Sequence, residues 1–141
     1  MKPRVLIICT GNSMRSQMAE GLLRADLGDQ IEVFSAGTNP SFVYPAVIEA
    51  MAEIGIDISG HRSKSVTEFV KERLDLVVTV CNHAAECCPS FTLAKKQIHK
   101  GYPDPMRGAR DDDPYRGIAE QRDLMRVELR ALVTRELHLG L

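Results

Sequence analysis

The stretch Cys9-Thr-Gly-Asn-Ser-Met-Arg-Ser16, directly after the apolar run Val5-Leu6-Ile7-Ile8, constrains this 141-residue chain more than any other. Four consecutive apolar residues read as a strand buried on both faces. From Ser16 onward Met18, Ala19, Leu22, Leu23, Ala25 and Leu27 recur at three- and four-residue spacings, and Gly28 stands where that helix would stop. A short loop between Cys9 and Arg15 therefore joins a buried strand to a helix N-terminus. Backbone N–H groups and the positive end of the helix converge there, which suits a tetrahedral oxyanion.

The same surroundings favour thiolate over thiol at Cys9, which makes it the candidate nucleophile. Arg15 is suited to forming a planar fork on two oxygens of the anion and to holding charge as it develops in a transition state. Within the loop, Gly11 is expected to supply the sharp backbone turn, and Asn12, Ser13 and Ser16 the side-chain hydrogen bonds that fix the loop or the sulfur. The predicted anion-binding set is Thr10, Gly11, Asn12, Ser13, Met14, Arg15 and Ser16.

Along the rest of the chain strands and helices alternate. Ile31 and Val33 mark a second strand, with Ser35-Ala36-Gly37 leading out of it into a loop containing Pro40. Pro45, Val47, Ala50, Met51 and Ile54 mark a helix stopped at Gly55, and Val66, Phe69 and Val70 one or two further helical turns. Leu74 to Val80 is a strongly apolar strand with Cys81 at its carboxyl end, and Lys96 to Lys100 a weaker one around Ile98. A last helix places Met125, Leu129, Leu132 and Val133 on one stripe, its charges reading as a solvated face. This order predicts an α/β fold, an open four-stranded parallel sheet flanked by helices on both faces, in a single domain over 1–141. Ligands of such sheets bind beyond the carboxyl ends of the strands, where Cys9, Cys81 and the loop after the fourth strand all fall.

A net charge of −1 gives no electrostatic footprint for nucleic acid or an anionic membrane. No apolar run approaches the ~20 residues of a membrane span, and the stretch after Arg4 is too short for a signal peptide, so a cytoplasmic protein is expected. Four cysteines in a chain long enough for a full core suggest reactive thiols rather than a disulfide framework. Three of them lie in Cys81-Asn-His-Ala-Ala-Glu-Cys87-Cys88-Pro89, which reads as a short helix. Helical phase returns Cys88 to nearly the face of Cys81, but seven residues rise ~10.5 Å, beyond the Cα separation a disulfide permits. Pairing requires unwinding, which predicts a redox switch. Zinc ligation by Cys81, His83, Cys87, Cys88 and His99 is disfavoured by the adjacent cysteine pair, and no metal or cofactor is expected.

Cys9-Thr-Gly-Asn-Ser-x-Arg-Ser-Gln-Met-Ala-Glu, with Cys81 and Cys88 downstream, resembles the thioredoxin-coupled arsenate reductases, which share the low-molecular-weight protein tyrosine phosphatase fold. The resemblance extends through Phe34-Ser-Ala-Gly37, Gly55-Ile-Asp-Ile-Ser59, Thr79-Val-Cys81 and His99-Lys-Gly-Tyr-Pro-Asp-Pro105. It implies that Cys9 attacks arsenate, with phosphate and sulfate as competing anions, while Asp104 helps protonate the departing oxygen. By the same resemblance Cys81 attacks Cys9 and releases arsenite, Cys88 attacks Cys81, and thioredoxin reduces the resulting disulfide.

Four features depart from or blur that pattern. Met14 stands where many relatives have a further cysteine that the relay does not need. Cys87 is a possible alternative to Cys88 once the segment unwinds. Lys64 stands where some reductases carry an aspartate that, with residues matching Asn12, Glu20 and Ser35, holds potassium; an ammonium paired with Glu20 would replace the ion. Finally, Asp113-Pro-Tyr-Arg-Gly117 resembles the acid loop of the phosphatases, although Asp104-Pro105 matches the reductases. Two other functions stay open at this point: hydrolysis of phosphomonoesters through a phosphocysteine at Cys9, and a non-catalytic module that senses an oxyanion or metal.

Overall fold

A computed structural model describes residues 2–82, 91, 93–105 and 116–140. Four parallel strands, β1 (Arg4–Cys9), β2 (Glu32–Gly37), β3 (Leu76–Thr79) and β4 (Gln97–His99), form a sheet in the order β2-β1-β3-β4. Helices α1 (Arg15–Leu27), α2 (Pro45–Ala52) and α3 (Arg116–Glu136) pack against one another, and a 3-10 helix spans Val66–Glu68. Successive β1 side chains point to opposite faces, yet Val5, Leu6, Ile7 and Ile8 are all fully buried, so both faces of the sheet are covered. On β2, Ser35 faces α1, where it meets Glu20, while Phe34 on the other face packs on Phe69 beside the 3-10 helix. The α/β fold with an open parallel sheet is the one expected from the order of elements.

Register brings the strand ends level. Cys9 lies opposite Gly37, Ile8 opposite Thr79, and Thr79 opposite His99. Because the chain winds outward from β1 in both directions, the crevice between β1 and β3 is the switch point at which such sheets bind ligands.

Three details differ from the expectation. β2 runs on through Ser35, Ala36 and Gly37, which pair with Ile7, Ile8 and Cys9 and do not form a loop. A Cβ on Gly37 would lie 2.5 Å from the Thr10 carbonyl oxygen and 2.8 Å from the Asn12 nitrogen, so a glycine lets this strand pass beneath the anion loop. Helix α2 ends at Ala52, and Gly55, at φ +79°, serves the turn beyond it. The charges of α3 are not all solvated: Arg122 is buried, donates Nη1 to the Ala50 carbonyl at 2.7 Å and contacts Asp123 and Glu53. Its guanidinium ties α3 to the end of α2, a tertiary role that a helical pattern does not show.

Candidate active site

Cys9, the last residue of β1, is buried, and its Sγ lies 2.8 Å from Ser16 Oγ in the first turn of α1. Asn12 Nδ2 donates to the same Ser16 oxygen at 2.8 Å, which leaves the serine hydroxyl hydrogen free to donate to sulfur. The α1 N-cap residue, Met14, makes no side-chain cap, so the first N–H groups of the helix are not taken up by its own capping side chain. Gln17 supports the loop from below, its Nε2 donating to the carbonyls of Asn12 and Arg62, both at 3.0 Å.

The tight turn belongs to Asn12, at φ +46°, and not to Gly11, whose φ is not positive. Asparagine tolerates the left-handed region because its short amide bonds locally, and here the amide is fully engaged. Nδ2 donates to Ser16 and, at 3.0 Å, to Ser35, while Oδ1 accepts from the Lys64 backbone N–H at 2.9 Å. Asn12 fixes the loop by side-chain hydrogen bonds, as expected, and also makes the turn expected of Gly11.

Behind Asn12 lies a charge cluster centred on the buried Glu20. Ser35 Oγ donates to Glu20 Oε1 at 2.6 Å, Arg24 approaches Oε2 at 2.8 Å, and Lys64 Nζ lies 3.6 Å from Oε1. Lys64 thus pairs with Glu20 as expected for an ammonium standing in for a cation. Burial alone would raise the Glu20 pKa; the Ser35 hydrogen bond and the charges of Lys64, His61 and Arg24 outweigh it and hold the carboxyl below the ordinary carboxylate range. His61, 3.4 Å from Glu20 and hydrogen-bonded to Gln17, is held below its ordinary value chiefly by burial, against the pull of Glu20.

On the β3 side, Cys81 is also buried, and its Sγ lies 3.2 Å from Oγ1 of Thr10, the residue next to Cys9. The neighbouring Asn82 is tied to β4: His99 Nε2 meets Asn82 Oδ1 and His99 Nδ1 meets Thr79 Oγ1, both at 2.9 Å. Arg15 is half-buried and donates Nη1 to the Tyr102 carbonyl at 3.0 Å. Tyr102 N–H in turn donates to the Val80 carbonyl at 2.8 Å, so one residue bridges the anion loop and the segment that leads from β3 to Cys81. Exposed Asp104 follows two residues later.

The structure therefore brings Thr10, Gly11, Asn12, Ser13, Met14, Arg15 and Ser16 together with Cys9 and Cys81 at one sheet edge. Cys88 and its alternative Cys87 lie outside the described residues, as do residues 83–89 of the helix read from Cys81 to Pro89, and Asp113. Roles for Gln17, Gly37, Thr79 and Tyr102 escaped the motif reading. Gln17 left a signal, in that it borders the apolar stripe of α1 with a group able to bond two ways.

A family model described as low molecular weight phosphotyrosine protein phosphatase matches residues 4–138. An arsenate reductase of Halalkalibacterium halodurans is 44% identical over 112 residues, 79% of this chain and 81% of the relative. Arsenate reductase 2 of Staphylococcus epidermidis is 40% identical over 134 residues, 95% of this chain and 98% of the relative. Among solved structures, an arsenate reductase in the oxidized state superposes with a TM-score of 0.81 at 29% identity, covering 96% of this chain and 99% of the other. A thioredoxin-dependent arsenate reductase of Corynebacterium glutamicum does so with a TM-score of 0.69 at 29% identity, over 95% of this chain and 63% of the other.

Proposed function

Because the chain belongs to the low-molecular-weight phosphotyrosine protein phosphatase family and is similar over most of its length to bacterial arsenate reductases, we propose that it reduces arsenate to arsenite through a thiol relay. The observation that carries the reading is the second buried thiol at the anion loop: Thr10 touches Cys81, so two sulfurs flank one residue at the sheet edge. A phosphatase needs only the first.

In this reading arsenate occupies the loop between Cys9 and Arg15. Cys9 thiolate attacks arsenic(V), an As–O bond breaks, and Asp104 gives the departing oxygen its proton, so that water leaves. Cys81 thiolate then attacks Cys9 Sγ. The S–S bond forms as the S–As bond breaks, its electron pair stays on arsenic, and arsenic(III) leaves as arsenite. Cys88 attacks Cys81 next, freeing Cys9, and a dithiol protein of the thioredoxin kind reduces the Cys81–Cys88 bridge. Two thiols supply the two electrons, so each turnover yields one disulfide. Among the described residues no helix is long and apolar enough to cross a membrane, and the near-neutral charge and thiol chemistry suit a reducing cytoplasm.

Fully reduced protein mixed with arsenate in the absence of reductant tests this directly. The expected result is arsenite released with two thiols lost, recovered by differential alkylation as a Cys81–Cys88 bridge. All four cysteines still open to alkylation, with aryl phosphate hydrolysed instead, would replace the reductase reading with a phosphatase.

A further inference from the structure

Of the two buried polar residues of α3, Arg122 ties the helix to α2, and Gln121 has the wrong chemistry for its face. Ile118, Met125, Leu129 and Val133 are fully buried and apolar, and Gln121 shares their stripe at 7% exposure. Its Nε2 donates to the Pro103 carbonyl at 2.6 Å, while its Oε1 is buried with no hydrogen-bond partner among the described residues. A buried amide with an unmet acceptor costs stability, whereas a methionine of similar volume fills the same space without that cost. Pro103 itself stands exposed at the surface, and the bond to its carbonyl is partly buried.

What the bond does is hold the backbone one residue before Asp104. On the near side Tyr102 is already fixed, its phenol donating to Glu128 Oε1 of α3 at 2.9 Å and its carbonyl accepting from Arg15. Burial first, then the hydrogen bond to Glu128, keep that phenol protonated by pushing its pKa up. On the far side a Cβ on Gly117 would lie 2.3 Å from the Pro105 carbonyl oxygen, so the first turn of α3 presses on the residue after Asp104. Asp104 and Gln121 line one cleft of about 230 Å³.

We propose that Gln121 is a positioning residue: by fixing the Pro103 carbonyl it sets the place of the Asp104 carboxyl relative to the anion loop. The proposal rests on the arsenate-reducing reading and on Asp104 as its proton donor. Gln121 touches neither anion nor sulfur and acts only through the backbone of this loop. The stability it forgoes is spent on the geometry of proton transfer, where a misplacement of about 1 Å can cost up to ~100-fold in rate.

The test compares wild type, Gln121→Met, Asp104→Asn and the double variant in single-turnover arsenite release from reduced protein. Phosphate affinity and the urea midpoint are measured alongside. Positioning predicts that Gln121→Met slows arsenite release about 10-fold or more, keeps phosphate affinity within about twofold and leaves the urea midpoint level or higher. It also predicts that the double variant is no slower than Asp104→Asn alone. A Gln121→Met rate equal to wild type, a lowered midpoint or failure to fold, or multiplicative losses in the double variant would each overturn the proposal, as would an Asp104→Asn variant as fast as wild type. If wild type itself releases no arsenite, the arsenate-reducing reading alone fails. The same four proteins are then compared on aryl phosphate hydrolysis, whose leaving oxygen also needs a proton, with the same outcomes deciding on Gln121.

Discussion

Asn12 holds two things in place at once, a left-handed backbone and the three hydrogen bonds of its amide. Asn12→Ala loses all three bonds and leaves a Cβ in a region that alanine avoids, so a stability loss of about 2–4 kcal/mol is expected by urea denaturation, with weakened phosphate binding. Asn12→Gly relieves the backbone but not the bonds and is expected to recover only part of that loss. At Lys64, 3.6 Å from Glu20, the ammonium already supplies the positive charge behind the loop. Arsenite formation is therefore expected at equal rates in potassium and sodium at matched ionic strength; a clear advantage for potassium would show that Lys64 does not replace the ion. Lys64 was legible from its place in the motif set, but the turn was assigned to Gly11 because glycine is the usual left-handed residue. Only the ring of partners around Asn12 reveals why it takes that conformation instead.

Elements meet the site through their ends. β2 passes beneath the loop only because Gly37 has no side chain, and Gly37→Ala would force the Thr10 carbonyl, 2.5 Å from the new Cβ, to move. The expected outcome is a loss of about 1–3 kcal/mol in stability together with a larger fall in phosphate affinity, since the displaced atoms belong to the anion loop. Titration calorimetry checks the second part, and unchanged affinity would mean that the loop tolerates the shift. The length of β2 was not legible because Ser35-Ala-Gly37 carries turn-like residues, which pairing with Ile7, Ile8 and Cys9 overrides. The solvated reading of the α3 charges failed at Arg122 for a related reason: its partner carbonyl, that of Ala50, comes from a distant part of the chain.

For the whole molecule, the charge cluster behind the loop makes stability depend on pH. Glu20 and His61 are both held below their ordinary values of 4.5 and 6.5. A group with a depressed folded pKa contributes stability above its unfolded value and loses it as pH falls through the folded one. The urea midpoint is therefore expected to be level at neutral pH, to fall below 6.5 as His61 charges in the unfolded chain, and to fall further below 4.5 with Glu20. Glu20→Gln should flatten the lower limb. It should also cost about 3 kcal/mol at neutral pH, because Lys64 and Arg24 lose their buried counter-charge. An unchanged lower limb in that variant would place the acid sensitivity elsewhere in the protein.

The parallel α/β architecture, the anion loop and the candidate nucleophile were legible in the amino-acid order alone. Those features rest on local periodicity and on a motif whose chemistry is complete within eight residues. The amino-acid order also pointed to Cys81, because the end of a strongly apolar strand must emerge at the same edge as Cys9 in a parallel sheet. That Thr10 touches Cys81, that Arg15 is held by the Tyr102 carbonyl and that Gln121 grips Pro103 emerged from packing in three dimensions. Each of these joins residues far apart in the chain through a bond of about 3 Å, and such bonds depend on packing angles and rotamers that a one-dimensional pattern does not encode.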